Sequence, residues 1–309
     1  LEVWDGQAKA ADIRLFDLER LVVVGPVQFS TQALALLLDR GIDVSFLTSH
    51  GRIRGSLVSG QSRNVYLRLA QFERWREPAF RLALSRHVVT AKVTAQLHVV
   101  LRYERNHPGR LEAGAGEQLR QLLEKVPEAD SVESLQGLEG AAAAAYYRQF
   151  GRMLTTVGFP GRKKHPSTDP ANALLSLGYV ILGNEIAARL EARGFDPAVG
   201  FLHGLRYGRQ SLALDLVEAF RQPVVDRLTL RLLNLRQLVP DDFEGGERGL
   251  LLKPDALKTY LGLYEEQLRS ESEGSGTPTW RERLTAQVDG LREMIMAGEV
   301  VPVYTWSGG

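Results

Sequence analysis

Hydrophobic and polar positions follow two different rhythms along the 309 residues. Over residues 1–60, short β-rich runs are punctuated by turn residues. Leu21-Val22-Val23-Val24 runs into Gly25-Pro26, and Ile42-Asp43-Val44-Ser45-Phe46-Leu47 into a polar turn. Between them residues 30–40 read as one short helix, capped by Ser30 or Thr31 and stopped by Gly41. From Asn64 onward the period becomes helical, and Pro78, after Glu73-Arg74-Trp75-Arg76-Glu77, marks a boundary. The later pattern predicts helices over 79–104, 117–125, 139–154, 171–193, 211–239 with an interruption at Pro223, 255–270 and 280–297. The segment 171–193 is apolar nearly all round, as a central bundle helix should be, and Gly194 ends it. The fold class expected is therefore α+β: a small β-rich N-terminal domain over 1–73, followed by a larger all-helical C-terminal domain over 78–309. Strands this short bury little surface alone, so the first domain is expected to be held in a homodimer.

Composition narrows the chemistry. Cysteine is absent, which excludes disulfides, thiolate metal sites, iron–sulfur clusters and a cysteine nucleophile; any metal must bind through oxygen or imidazole nitrogen. The apolar runs are broken by charge before the roughly 20 residues of a membrane span, and no charged-then-apolar leader opens the chain. A soluble, cytoplasmic protein without a membrane partner is expected. The chain opens on Leu1 in a strand-like segment, so a few residues are expected to precede it. The net charge of +1 hides an uneven arrangement. Residues 52–110 hold twelve Lys/Arg against three Asp/Glu, whereas residues 111–140 hold two against seven. The basic block has the right sign for phosphate, or is simply a set of solvated helix faces.

No phosphate-binding Gly-rich loop, Gly-x-Ser-x-Gly elbow or His-Glu-x-x-His is present. What remains is scattered. Glu139 shares a helix face with Ala143, Tyr146 and Phe150; it is either a helix-start acid or a carboxylate on a packing face, which must then be paired, neutral or metal-bound. Asp215 and Glu218 lie about 60° apart on one helix, open to a shared ligand or to water, beside an apolar stripe of Leu212, Leu216 and Phe220. His203 stands in a Gly-rich apolar turn, where a structural role is equally open. Jointly these are ligand types that suit Mg²⁺ or Mn²⁺ and hence phosphoryl transfer. For DNA, the candidates are Arg162, Lys163, Lys164 and His165 in a Gly/Pro-bounded loop, and His87, His98, Arg102 and Arg105 on the long helix. Tyr146, Tyr147, Trp75 and Trp280 are candidates for base stacking or for the core.

The segments Gly194-Phe195-Asp196-Pro197-Ala198-Val199-Gly200-Phe201-Leu202-His203 and Ser211-Leu212-Ala213-Leu214-Asp215-Leu216-Val217-Glu218-Ala219-Phe220-Arg221 resemble the signature of the CRISPR-associated integrase of spacer acquisition, the Cas-one family. Leu138-Glu139-Gly140 and the segment from Asp169-Pro170-Ala171-Asn172 to Gly178-Tyr179 do so too, and the likeness runs in order from about residue 17 to 239. The resemblance implies an N-terminal β domain, a helical domain with the metal site, homodimerisation, and assembly with the small Cas-two protein around prespacer DNA. It implies a metal-dependent DNA endonuclease and integrase that inserts captured DNA into a repeat array by 3′-hydroxyl attack on a phosphodiester. The family's metal ligands fall on Glu139, His203 and Glu218, with Asp215 as the neighbouring catalytic acid. Many relatives carry a basic residue where this chain has Ala144, so no DNA or acid contact is expected there. A non-catalytic DNA-binding scaffold of the same fold is the competing expectation, and a metal-dependent hydrolase of small phosphoesters a third.

Overall fold

The computed structural model describes residues 1–18, 20–48, 53–57, 64–164, 166–246, 249–301, 305–306 and 308. They fall into two compact units, Leu1–Gln61 and Ser62–Gly309. In the first, β1 (Glu2–Asp5) and β2 (Ala8–Asp12) form an antiparallel hairpin. β3 (Arg20–Val24) then passes through helix α1 (Thr31–Asp39) to β4 (Asp43–Leu47), which lies parallel to it, and β5 (Ile53–Leu57) pairs antiparallel with β4. A parallel pair needs a crossover, and α1 is that crossover. The Ser30 hydroxyl accepts from the Ala33 amide at 3.1 Å to start it, and Gly41, at φ +67°, stops it. Val23, Leu37, Ile42 and Val44 form the small core of this unit, with Leu21, Phe29, Phe46 and Leu57 around it.

The second unit is mostly helical. It comprises α2 (Val65–Arg76), α3 (Pro78–Asn106), α4 (Ala115–Glu124), α5 (Val132–Met153), α6 (Pro170–Arg193), α7 (Ser211–Val217), a π-helical segment (Arg221–Asp226), α8 (Arg227–Asn234), β6 (Phe243–Gly246), β7 (Gly249–Leu252), α9 (Pro254–Arg269) and α10 (Trp280–Ala297). Three sequence expectations change. The boundary lies at 61/62 rather than between 73 and 78, because α2 is bonded into the second unit. The Gln71 amide donates to the Asp196 and Val199 carbonyls at 3.0 and 3.2 Å, and the Trp75 indole to the Gly200 carbonyl at 3.0 Å. The unit is not all-helical, since β6 and β7 form an antiparallel hairpin in a Gly-rich stretch, tied to the 160s loop by a Leu250 N–H bond to the Ser167 carbonyl at 2.7 Å. α5 begins seven residues before its expected start, at Val132, because Ser131 caps it through the Ser134 amide at 3.3 Å and Gly137 does not interrupt it.

The centre of the unit is built by α3, α5 and α6, with thirteen buried residues on α3 and thirteen on α6, so both helices are packed on most of their faces. α6 is long and apolar enough to cross a membrane by length and composition; 61% of its most apolar stretch is buried within the protein, against α7, α8, α10 and the π-helical segment. Asp169 caps it, accepting from the Asn172 amide at 2.9 Å, and Gly194, at φ +101°, closes it. The expected interruption at Pro223 is the π-helical segment, where the ladder runs one residue wider, as in the Arg227 N–H bond to the Gln222 carbonyl.

One close approach fixes the turn that leads into the site. A Cβ on Gly200 would lie 2.6 Å from the Ser211 carbonyl carbon and 2.8 Å from its oxygen, both backbone atoms that cannot yield alone. Gly200→Ala should therefore cost about 1–3 kcal/mol and lower Tm by several degrees. Gly183→Ala, whose Cβ meets only Val217 Cγ2 at 3.9 Å inside α6, should raise Tm slightly through helix propensity. Thermal melts of the two variants against the parent chain check both signs.

Candidate functional site

Four elements of the second unit bring charge to one place. α5 carries Glu139 two turns in from its start, which removes the helix-start explanation of that acid. α3 carries Lys92, the turn after α6 carries His203, and the junction between α7 and the π-helical segment carries Glu218 and Arg221. The Lys92 ammonium pairs with Glu139 Oε1 and with Glu218 Oε2, the latter at 2.6 Å. Arg221 Nη2 lies 3.2 Å from the other Glu218 oxygen, and His203 Nε2 lies 3.8 Å from that same oxygen. Burial is graded: the Glu218 and Lys92 side chains are 3% and 6% exposed, whereas Glu139 and His203 are 26% and 27% exposed. One carboxylate is therefore sealed behind, with an imidazole and a second carboxylate opening to solvent in front.

Burial pushes the Glu218 carboxyl up, but Arg221, Lys92 and His203 together outweigh it and hold it down at about 2. The carboxylate is charged, and its partners keep it so. Asp215 has a different role. Its carboxylate, 2% exposed, accepts from the backbone amides of Phe201, Leu202 and His203 at 2.6, 3.1 and 3.0 Å and from His203 Nδ1 at 2.7 Å. A carboxylate only accepts, so Nδ1 carries the proton on this side of the ring, and Nε2 is the ring atom turned towards Glu218. Asp215 thus folds the 201–203 turn and orients His203 in one act. The solvated-face reading of Asp215 and Glu218 is excluded, since both side chains are buried.

A cleft of about 520 Å³ adjoins this group, and the charged side chains lining it are the cations Arg162, Lys164, Arg209 and Arg221. Burial and the neighbouring Arg221 push the Lys164 ammonium down, with Glu218 opposing. Arg162 is held in place, donating to Asn172 Oδ1 at 2.8 Å and Ser176 Oγ at 3.1 Å, while the Lys163 amide donates to the same Asn172 oxygen at 2.9 Å and its side chain is exposed. His165 lies outside the described residues. Arg209 clamps the 203–211 turn through the His203 carbonyl and Ser211 Oγ.

Of the other basic and aromatic candidates, Arg105 is exposed and Arg102 half-buried, while His98, His87, Tyr146, Trp280 and Trp75 face inward. His98 Nδ1 meets the Trp306 carbonyl at 2.7 Å, and burial pushes the His87 imidazole down. Tyr146 and Trp280 are buried, and Trp75 is bonded through its indole, so all three belong to the packing of the unit. The sequence reading missed Lys92 and Arg221 as site residues. Lys92, the one Lys, Arg, Asp or Glu between Val88-Val89 and Val99-Val100 of α3, was the available signal, because a buried ammonium requires acceptors.

Behind the site, Tyr147 OH and Tyr179 OH are 2.7 Å apart and Tyr179 donates to Asp226, while Arg221 and Arg162 face the Tyr179 ring at 4.5 and 5.4 Å. Burial pushes the fully enclosed Asp226 carboxyl up to about 6 against the pull of Tyr179, Tyr146, Arg221 and Arg162.

Residues 1–266 match the family model of CRISPR associated protein Cas1. The chain belongs to the Cas1 family. It is 36% identical over 255 residues to a CRISPR-associated endonuclease Cas1 of Thermus thermophilus, a match covering 82% of this chain and 74% of that protein. Among solved structures it resembles a Cas6-RT-Cas1–Cas2 complex (TM-score 0.82, 26% identity, 99% of this chain and 34% of that one). It also shares its fold with a casposase bound to integration product (TM-score 0.81, 21% identity, 94% of each chain). The β-rich N-terminal unit and mostly helical second unit are those of a Cas1 protein.

The Asp226 arrangement makes a pH prediction. A carboxyl raised in the folded state contributes stability that is present below its ordinary value of about 3.9 and lost as pH rises through about 6. Asp226→Asn removes this dependence, so the Tm of the variant minus that of the parent should climb between pH 4 and pH 7. Melts across that range test it, and a flat difference contradicts it.

Proposed function

We propose that this Cas1-family chain is a divalent-metal-dependent DNA integrase with endonuclease activity, inserting captured DNA as new spacers into a CRISPR repeat array by 3′-hydroxyl attack on a phosphodiester. The observation that carries this reading is the convergence of Glu139, His203 and Glu218 from three separate elements on a position that already accepts a cation, the Lys92 ammonium. Among the described residues no three His, Asp or Glu side chains are gathered closely enough to hold an ion as they stand. Their chemistry fits one nonetheless: two carboxylates and an imidazole whose Nε2 lone pair is set by Asp215 form a hard and borderline donor set for Mg²⁺ or Mn²⁺. An ion held there would polarise the scissile phosphate and lower the pKa of the attacking hydroxyl or water.

The chain's own residues do the remainder. Asp215 keeps His203 in the ligating tautomer, and Arg221 balances the sealed Glu218 charge. The cationic cleft beside the carboxylates draws the phosphates of DNA to them: Lys164 and Arg209 supply charge, and Arg162 is fixed on Asn172 and Ser176. The partners proposed are prespacer DNA, the repeat array, a second copy of the chain and the small Cas2 protein, in the cytoplasm; the solved complex of a Cas1 relative with Cas2 supports that last assembly. A non-catalytic DNA-binding scaffold is the second reading, favoured by the cation already seated between the carboxylates.

Two expected outcomes separate these readings. Glu139→Gln, His203→Ala and Glu218→Gln should each reduce integration of a labelled prespacer into a repeat-bearing plasmid by at least about 100-fold, and combining them should add little, because each removes the same ion. Circular dichroism should show the fold retained. Near-normal integration by a folded His203→Ala protein would exclude the site. For DNA, Lys163→Ala with Lys164→Ala should weaken binding to unrelated sequences alike and reduce the salt slope of log K by about 0.7–0.9 for each phosphate no longer neutralised. An unchanged slope in a binding titration across salt would place the DNA elsewhere.

A further inference from the structure

Lys92 is the member of the group to which neither the ligand roles nor the charge balance assigned to Arg221 gives a function. Its side chain is 6% exposed and leaves α3 among Val88, Val89, Ala91, Val93 and Ala95, so its ammonium has lost nearly all of its water. Such a cation persists only where fixed acceptors replace that water. The acceptors are Glu139 Oε1 and Glu218 Oε2, two of the groups assigned to the divalent ion. The two carboxylates are not equivalent. Glu218 also holds Arg221 and would keep a charge partner if Lys92 withdrew, whereas Lys92 is the partner described for Glu139. The ammonium and a divalent ion are therefore rivals for the same pair of oxygens. The rivalry is unequal, since the lysine is tethered and always present while the ion must arrive from solution.

We propose that Lys92 is a built-in competitor of the divalent ion: it holds Glu139 and Glu218 together in the metal-free protein and must give up at least Glu139 when the ion binds. This rests on the reading of Glu139, His203 and Glu218 as metal ligands. The site is then assembled before the ion arrives, at the cost of weaker ion binding in the absence of DNA. A phosphodiester entering beside the carboxylates offers anionic oxygens to the released ammonium, so DNA and ion should strengthen each other's binding, by the same factor in either order.

The test uses the full chain without DNA and needs no turnover. Mn²⁺ binding is titrated by the electron paramagnetic resonance of the free ion, and thermal melts are recorded in EDTA and in saturating Mn²⁺, for the parent chain and Lys92→Met. The variant should bind Mn²⁺ at least about 10-fold more tightly, melt lower in EDTA, and gain more degrees from Mn²⁺ than the parent does. If Lys92→Met fails to fold, Lys92→Gln, which is neutral but still able to donate to Glu139, should shift the affinity in the same direction. Equal or weaker Mn²⁺ affinity in a folded variant, with the parent binding Mn²⁺, overturns the role of Lys92 and leaves the ligand assignment standing. Absence of Mn²⁺ binding by both proteins overturns both. A short phosphodiester duplex added to the parent should tighten Mn²⁺ binding, and should do so less in the variant.

Discussion

The second unit is organised around the burial of one charged carboxylate. Glu218 is enclosed, and a buried charge is tolerated only with partners in good geometry; removing one partner of such a pair typically costs about 3–5 kcal/mol. Lys92 and Arg221 meet the two Glu218 oxygens, and each requirement reaches outward in turn. Lys92 sets the rotation of α3 and, through Glu139, the facing of α5. Arg221 brings in the ring of Tyr179 on α6. Three long helices are thereby fixed relative to one another by a demand that starts at a single side chain.

The widened ladder of 221–226 is what lets one segment satisfy two buried networks. Arg221 at its start faces Glu218, while Asp226 at its end takes the Tyr179 hydroxyl, and the intervening Pro223 leaves no amide proton to continue a regular ladder. On the other side, Asp215 collects three consecutive backbone amides and the His203 ring, so the turn that delivers the imidazole is shaped by the same carboxylate that fixes its tautomer. Such a site is pre-organised. Asp215 and Arg221 hold His203 and Glu218 from outside the place where chemistry would occur, Lys92 holds Glu139 from within it, and the cationic cleft beside it is the approach that an anionic substrate would take.

Much of this was legible in the chain, for reasons that differ by residue. Helix extents followed local signals: Ser30, Asp169 and Gly194 sit at the ends they cap, and α6 reads as central because it is apolar nearly all round. The start of α5 was misplaced because Gly137 and Gly140 weaken the helical pattern, although the Ser131 cap was present in the sequence. The β6–β7 hairpin was missed because two four-residue strands carry little periodicity. Glu139, His203 and Glu218 were named through family resemblance; spacing alone left each of them open. Lys92 escaped because its partners are distant in sequence, so only the folded chain shows that an isolated lysine is a counter-ion. The sequence offers Arg162 as a DNA candidate in a loop, and the structure bonds it to Asn172 and Ser176, contacts no local pattern announces.

The central claim is that the charges gathered around Glu218 form a divalent-ion site. Anomalous diffraction at the manganese edge, from crystals of the protein grown with Mn²⁺, tests it most directly. The account predicts a single strong peak within ligating reach of Glu139, Glu218 and His203 Nε2, with the Lys92 ammonium withdrawn from Glu139. A fully occupied Lys92 bridge with no peak there at saturating Mn²⁺ would contradict it.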